Sequence, residues 1–203
     1  MYYDPAAIAR DLHAREGVTA LGMPSSHETE SYVFPQPGPG ITPDVVNRYA
    51  EQGLELLYGN DVAARNRQKA VEYLKWASTN GHVNSLYHLG IIYSRGEGVM
   101  IDNGVAVKYF RQAVALGHAH AHDSLGFAYA NGLGASLDDV EAAKYFEAAA
   151  ALGVVNAMLN LAHMYATGRG VERDDRIAIA WYERAGSLGD HAALNNLGIM
   201  CDV

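Results

Sequence analysis

Cysteine is nearly absent from this chain, which has one, Cys201, in 203 residues. An intramolecular disulfide therefore cannot form, and a structural zinc site built on cysteines is excluded. Basic residues are also few, because 15 Lys and Arg stand against 23 Asp and Glu for a formal net charge of -8. A protein that binds the phosphate backbone needs the opposite balance, so we expect no nucleic-acid partner.

Long apolar runs are missing as well. The stretch 140–155 is interrupted by Glu141, Lys144 and Glu147, and it is too short to span a bilayer. The N-terminus places Asp4 ahead of any apolar run and lacks a basic segment followed by an apolar one, so we expect no intact secretory signal. These absences predict a cytoplasmic protein without membrane insertion. A periplasmic or organellar location stays open if a signal was removed ahead of residue 1.

Hydrophobic residues are plentiful, at 49% of the chain, and they recur with a gapless period of 36 residues. One slot of this period is leucine in four successive repeats: Leu89, Leu125, Leu161 and Leu197. Another is aromatic: Tyr73, Tyr109, Tyr145 and Trp181. Such regular recurrence indicates a repeat architecture.

Each repeat is predicted to form two helices. The spacing i, i+3, i+4, i+7 gives the first helix a buried face at Leu86, Leu89, Gly90 and Tyr93. The second helix has a buried face with the same spacing, at Ala106, Tyr109, Phe110 and Ala113. One hairpin cannot cover these faces alone, so its neighbours must stack on it. The predicted fold is an all-α, right-handed α-solenoid of stacked helix-turn-helix repeats.

Glycine and aspartate mark the predicted helix ends. Gly96, Gly132 and Gly168 follow the first helices and are expected to take the left-handed conformation that ends a helix. Asp102 precedes a second helix as its N-cap, and Asp138 with Glu141 has the spacing of a capping box.

The repeats divide the chain into an extension, 1–41, and a solenoid, 42–203. The extension is expected to hold a short helix over 5–16, followed by a Pro- and Gly-rich linker over 31–43. In the solenoid, a degenerate repeat at 42–82 opens with Thr42 as N-cap and Pro43 at the first helical position. The remaining units are predicted at 83–118, 119–154, 155–190 and, as a half repeat, 191–203.

The recurring residues resemble the Sel-1-like repeats (SLR), which are relatives of the tetratricopeptide repeats (TPR). Between 155 and 190 the family pattern is carried by Ala157, Leu161, Tyr165, Gly168, Gly170, Val171, Asp174, Ala178, Trp181, Ala185 and Gly189, with Ala162 where glycine is usual. The resemblance implies a superhelical protein-interaction scaffold, with adaptor roles in quality control, signalling, envelope regulation or contact with hosts. It assigns no catalytic residue. The chain lacks the paired cysteines of the disulfide-rich bacterial members.

Three histidines at alternate positions, His118, His120 and His122, are the strongest hint of a metal site, because an extended segment could bring them together on zinc or nickel. However, His118 occupies a turn slot also held by His82, and a helix after it would spread the three rings around its axis. We therefore expect a surface turn that titrates near neutral pH, with no metal and no other cofactor.

Catalytic motifs are also missing. The Gly-x-Gly segments at 96–98, 132–134 and 168–170 follow helices and lack the lysine of a phosphate-binding loop, so they are expected to end helices. Some Sel-1-like proteins have been discussed as β-lactamases, but S-x-x-K, S-D-N and K-T-G do not occur here. The sequence predicts a protein that is not an enzyme. The remote alternative is a catalytic pair assembled from distant residues.

A candidate binding surface follows if the first helices line the concave side, as in the tetratricopeptide relatives. The slots not used for packing would then face the groove: Asn84, Tyr87, Ile91, His120, Asp123, Phe127, Asn156, Leu159, His163, Asn195 and Ile199. Asparagine amides can bind an extended backbone, and Tyr87 and Phe127 can act as apolar anchors. Alternatively, some of these aromatic side chains pack against the next repeat.

The leading hypothesis is a non-enzymatic adaptor that binds a partner protein or peptide in this groove. The alternative is an accessory subunit built permanently into a larger assembly. Because the half repeat 191–203 has no second helix, we expect its open side, including Met200 and Cys201, to lack an intramolecular neighbour. A second copy, another subunit or further residues of a longer protein would cover it.

Overall fold

A computed structural model describes residues 41–59 and 66–201, and its regular structure there is entirely helical. The helices are α1 (Pro43–Tyr58), α2 (Arg67–Thr79), α3 (Val83–Arg95), α4 (Asn103–Ala115), α5 (Ala119–Asn131), α6 (Asp139–Ala151), α7 (Val155–Thr167), α8 (Asp175–Ser187) and α9 (His191–Cys201). The all-α class and the paired helices of the 36-residue repeat are therefore confirmed. The helix expected over 5–16 and most of the linker over 31–43 lie outside the described residues.

The helices belong to two compact units that divide between His82 and Val83. The first unit contains α1 and α2, whose core includes Val46, Ala50 and Ala77. In the second unit the pairs α3–α4, α5–α6 and α7–α8 precede the single helix α9. Each pair packs on the next through its second helix, since α4 contacts α5, α6 contacts α7 and α8 contacts α9. This is the nearest-neighbour stacking of a solenoid.

Aspartates start the second helices of the second unit, as predicted. The side chains of Asp102, Asp138 and Asp174 accept hydrogen bonds from backbone N–H groups three residues ahead, at 2.9, 3.0 and 3.1 Å. The capping box at Asp138 is not completed. Its N–H instead donates to the carbonyl of Tyr129 at 3.0 Å, and Glu141 pairs with Lys144 at 2.6 Å. The same backbone bond links Asp102 to the carbonyl of Tyr93, so it closes the loop between paired helices.

The first helices end at glycines, as predicted. Gly96, Gly132 and Gly168 have φ of +72°, +66° and +69°. The leucine slot is buried in all three complete repeats of the second unit. In the same three repeats the aromatic slot is only partly buried, and its first member, Tyr109, stacks on Tyr93 with ring centroids 5.7 Å apart.

Helix α9 packs differently from the sequence-based expectation. Met200 contacts the hydrophobic core of the second unit, together with Leu197 three positions earlier, so the expectation that Met200 lacks an intramolecular neighbour is wrong. The exposed apolar side chains of α9 are Leu194 and Ile199, which are 47% and 67% exposed. The side chain of Cys201 lies outside the described residues.

The glycine that follows the leucine slot lets the two helices of a repeat approach closely. A Cβ atom on Gly90 would lie 2.3 Å from a ring carbon of Phe110, which is buried. We expect Gly90→Ala to lower the free energy of unfolding by about 1 to 3 kcal/mol, because a methyl group there displaces a ring in a packed core.

Gly198→Ala is the matched control for this prediction. Gly198 occupies the same slot in α9, but in the described part of the chain no side chain and no other helix comes within 4 Å of the position of its Cβ. The substitution should leave stability unchanged or raise it by up to about 1 kcal/mol, since alanine favours a helix over glycine. Urea unfolding of both variants measures the difference. Equal losses of stability would show that Gly90 is not a site of close approach.

Candidate functional site

The first helices of the second unit, α3, α5, α7 and α9, form what we call the first-helix face. Tyr87 of α3 stacks on His118, at the start of α5, with ring centroids 4.4 Å apart. Asn160 of α7 donates a hydrogen bond to Asp123 of α5, with 3.3 Å between Nδ2 and Oδ1. These contacts place α3, α5 and α7 side by side.

Charge separates the first helices from the second ones. Asp123 and Arg95 are the only Asp, Glu, Lys or Arg residues in the four first helices. The second helices α4, α6 and α8 carry ten: Lys108, Arg111, Asp139, Glu141, Lys144, Glu147, Asp175, Arg176, Glu183 and Arg184. The first-helix face is therefore rich in aromatic, amide and imidazole groups and poor in charge, a composition typical of protein interfaces.

The eleven predicted groove residues all lie on these four helices. Seven are exposed: Asn84, His120, Phe127, Asn156, His163, Asn195 and Ile199. Four are partly buried: Tyr87, Ile91, Asp123 and Leu159. Three of these four, Tyr87, Ile91 and Leu159, contact the hydrophobic core and so also contribute to packing. Phe127, by contrast, is 54% exposed.

His118, the first of the three histidines, has a structural role. His118 Nδ1 accepts the N–H of Ala121 at 3.2 Å, which makes His118 the N-cap of α5. Burial against neighbours, with smaller effects of His120 and His122, lowers the pKa of His118 to about 4. The expectation that this turn titrates near neutral pH is therefore wrong for His118, because its ring is half-buried beside Tyr87.

The rings of His118 and His120 both lie beside Tyr87, whereas His122 lies in different surroundings. The ring of His120 lies 6.1 Å from that of His118, while His122 faces Tyr145 across 6.1 Å. Burial lowers the pKa of both His120 and His122. Within 41–59 and 66–201, no three His, Cys, Asp or Glu side chains lie close enough together to hold a metal ion.

Asp123 is the only acidic residue in the four first helices. Burial raises the pKa of its carboxyl to about 6, although the hydrogen bond from Asn160 lowers it in part. Asn160 was not among the predicted residues. Its slot is polar in every unit, as His88, Ser124 and Asn196 show, so the repeat pattern contained a signal for it.

Across the described residues, every helix is too short or too polar to cross a membrane. A family model described as the Sel1 repeat matches residues 43–82, 83–118, 119–154 and 155–190. None of the curated proteins matches the sequence.

Solved structures show the same architecture. A protective antigen of uropathogenic Escherichia coli that displays an SLR fold is 32% identical, with a TM-score of 0.74 over 77% of this chain and 33% of that antigen. A Sel1 repeat protein from Oxalobacter formigenes is 27% identical, with a TM-score of 0.71 over 78% of this chain and 65% of the other. An immunity protein from Pseudomonas aeruginosa, 20% identical with a TM-score of 0.55 over 76% of this chain and 57% of its own, shares the fold alone. The chain thus spans about a third of the Escherichia coli antigen and about two thirds of the Oxalobacter protein.

Proposed function

The chain belongs to the Sel1 repeat family, and from this membership we propose that it is a non-enzymatic scaffold that binds a segment of a partner protein on its first-helix face. Sel1 repeat proteins generally bind proteins. The observation that carries the proposal for this surface is Phe127, a large apolar side chain 54% exposed on a face almost free of charge. Exposed aromatic side chains in such surroundings are characteristic binding anchors.

The first-helix face also carries polar groups that are suited to a peptide backbone. Exposed asparagines lie on α3, α7 and α9, namely Asn84, Asn156 and Asn195. Each amide offers two donors and an acceptor, which can satisfy backbone groups of an extended segment. The second helices, with their ten charged residues, also expose apolar side chains such as Val140, but among the described residues none of these is aromatic.

Phe127→Ala is expected to weaken partner binding at least about tenfold, because it removes an anchor of the interface. It should lower the free energy of unfolding by no more than about 1 kcal/mol, since about half of the residue is already in solvent. Leu152→Ala is the matched control, because Leu152 is 56% exposed but follows the second helix α6.

Affinity capture with quantitative mass spectrometry tests this prediction. A partner that the unaltered protein and Leu152→Ala retain, but Phe127→Ala loses, supports binding on the first-helix face. Equal retention by all three proteins would place the interface elsewhere. Loss with both variants would indicate a surface that includes the turn at Leu152.

A permanent accessory subunit is the second candidate. The observation that favours it is a set of exposed apolar side chains in the loops between paired helices: Met100, Ile101, Leu133 and Leu137. Large apolar side chains at such positions are common where a second protein covers them. A permanent subunit would co-purify in fixed stoichiometry and resist high salt, whereas an adaptor would exchange its partner.

A further inference from the structure

The carboxylate of Asp123 has an unusual place in this protein. It is the only acidic group in α3, α5, α7 and α9, and most of its surface is buried. Asn160 donates to its Oδ1. An ionised carboxylate has about four acceptor positions on two oxygens, so this single amide leaves capacity for a further donor.

Among the described residues, no Lys or Arg side chain forms an ion pair with this carboxylate. Arg95, the one basic residue of the first-helix face, lies at the end of α3 and pairs with Glu97 at 3.7 Å. A partly buried carboxylate without a counter-ion is costly to keep ionised, and a cation supplied by a ligand would offset that cost.

The surroundings of Asp123 fit a long cationic side chain. Phe127 lies one helical turn further along α5, so its exposed ring and the carboxylate share one side of the helix. The aliphatic stem of Lys or Arg packs well on an aromatic ring while its head group reaches a polar partner. The ring face also attracts the cation itself.

We propose that Asp123 determines specificity on the first-helix face, and that the partner segment carries a Lys or Arg side chain whose head group pairs with this carboxylate while its stem packs on Phe127. This inference rests on the proposed function. The negative charge of the whole chain, -8, would attract basic segments in general. Asp123 would select among them by accepting a hydrogen bond from the cation in partly desolvated surroundings.

A displayed library of random linear peptides tests the inference. It is selected in parallel against the unaltered protein, Asp123→Asn and Glu147→Gln. Glu147 is an exposed acid on α6, so its substitution removes the same charge from the other side of the repeat. We expect the unaltered protein and Glu147→Gln to enrich Lys or Arg at one position of the selected peptides, and Asp123→Asn to lose that enrichment.

A second measurement changes the peptide and leaves the protein unaltered, so its main result does not depend on whether Asp123→Asn folds. In the tightest selected peptide the basic residue is replaced by citrulline or norleucine, and fluorescence anisotropy measures Kd for the unaltered protein. A charge-assisted hydrogen bond to a buried carboxylate predicts a loss of about ten- to a hundredfold. The same replacement should have little effect on binding to Asp123→Asn.

The outcomes separate the two hypotheses. If no peptide is enriched, the proposed function fails and this inference fails with it. If peptides bind and Phe127→Ala abolishes binding, but no basic position is enriched or its enrichment survives Asp123→Asn, the proposed function stands and the inference is overturned. A basic position that Glu147→Gln also loses would show attraction by net charge alone, which likewise overturns it.

Discussion

Gly134→Ala is expected to lower the free energy of unfolding of the second unit by about 2 to 4 kcal/mol. Gly134 has φ of +74°, a conformation that costs an alanine on the order of 1 kcal/mol. The position of its Cβ also lies 2.0 Å from the carbonyl oxygen of Asn103, in the preceding repeat. Backbone cannot move aside as a flexible side chain can, so the overlap adds about 1 to 3 kcal/mol.

Gly117→Ala separates the cost of the positive φ from the cost of the overlap with backbone. Gly117 has φ of +82°, but among the described residues no atom beyond its chain neighbours lies within 4 Å of its Cβ position. Its substitution should therefore cost only the conformational part, about 1 kcal/mol. Urea unfolding followed by circular dichroism gives both values. If Gly134→Ala were no more harmful than Gly117→Ala, the close approach of the loop to Asn103 would be wrong.

Asp123→Asn is expected to stabilise the protein at pH 7 by up to about 3 kcal/mol. The pKa of Asp123 is about 6 in the folded protein against 3.8 for the free group. The folded state therefore binds the Asp123 proton more tightly than the unfolded state does. The stability that this proton contributes is fully present below about pH 4 and is lost as the pH rises through about 6. A shift of about two pKa units corresponds to roughly 3 kcal/mol as an upper limit, which residual solvent access reduces.

Asparagine suits this test because it has nearly the same shape and its amide oxygen can still accept from Asn160. The difference in free energy of unfolding between Asp123→Asn and the unaltered protein should be largest at pH 7 and should vanish below about pH 4. Urea titrations at several pH values measure it. A difference that does not change with pH, or a variant less stable at pH 7, would contradict the burial of the carboxyl.

The sequence predicted what each repeat does by itself. Local spacing and the chemistry of single residues determine the buried leucine slot, the left-handed conformation of Gly132 and the N-cap at Asp102. The 36-residue period was therefore enough to predict these features. Contacts between repeats were harder to predict from the sequence. Gly134 was expected to help end a helix, yet it is needed because the loop meets the backbone of Asn103.

The candidate site was predicted in outline only, for the same reason. The repeat slots located Phe127 and Asp123 on one side of α5, but the bond from Asn160 and the stacking of Tyr87 on His118 depend on how adjacent helices are offset. No periodicity in one sequence encodes that offset. The half-burial of His118, and with it the low pKa, follows from the same packing.

The contact of Gly134 with Asn103 has a counterpart one repeat later, where the Cβ position of Gly170 lies 2.1 Å from the carbonyl oxygen of Asp139. Both contacts join equivalent positions of consecutive repeats, so they depend on register and not on absolute position. A gene rearrangement that adds or removes one whole repeat restores the contact at the new junction, whereas an insertion of a few codons destroys it. Unequal recombination can therefore lengthen or shorten this surface in whole units, and each added unit brings its own set of variable side chains for selection to act on.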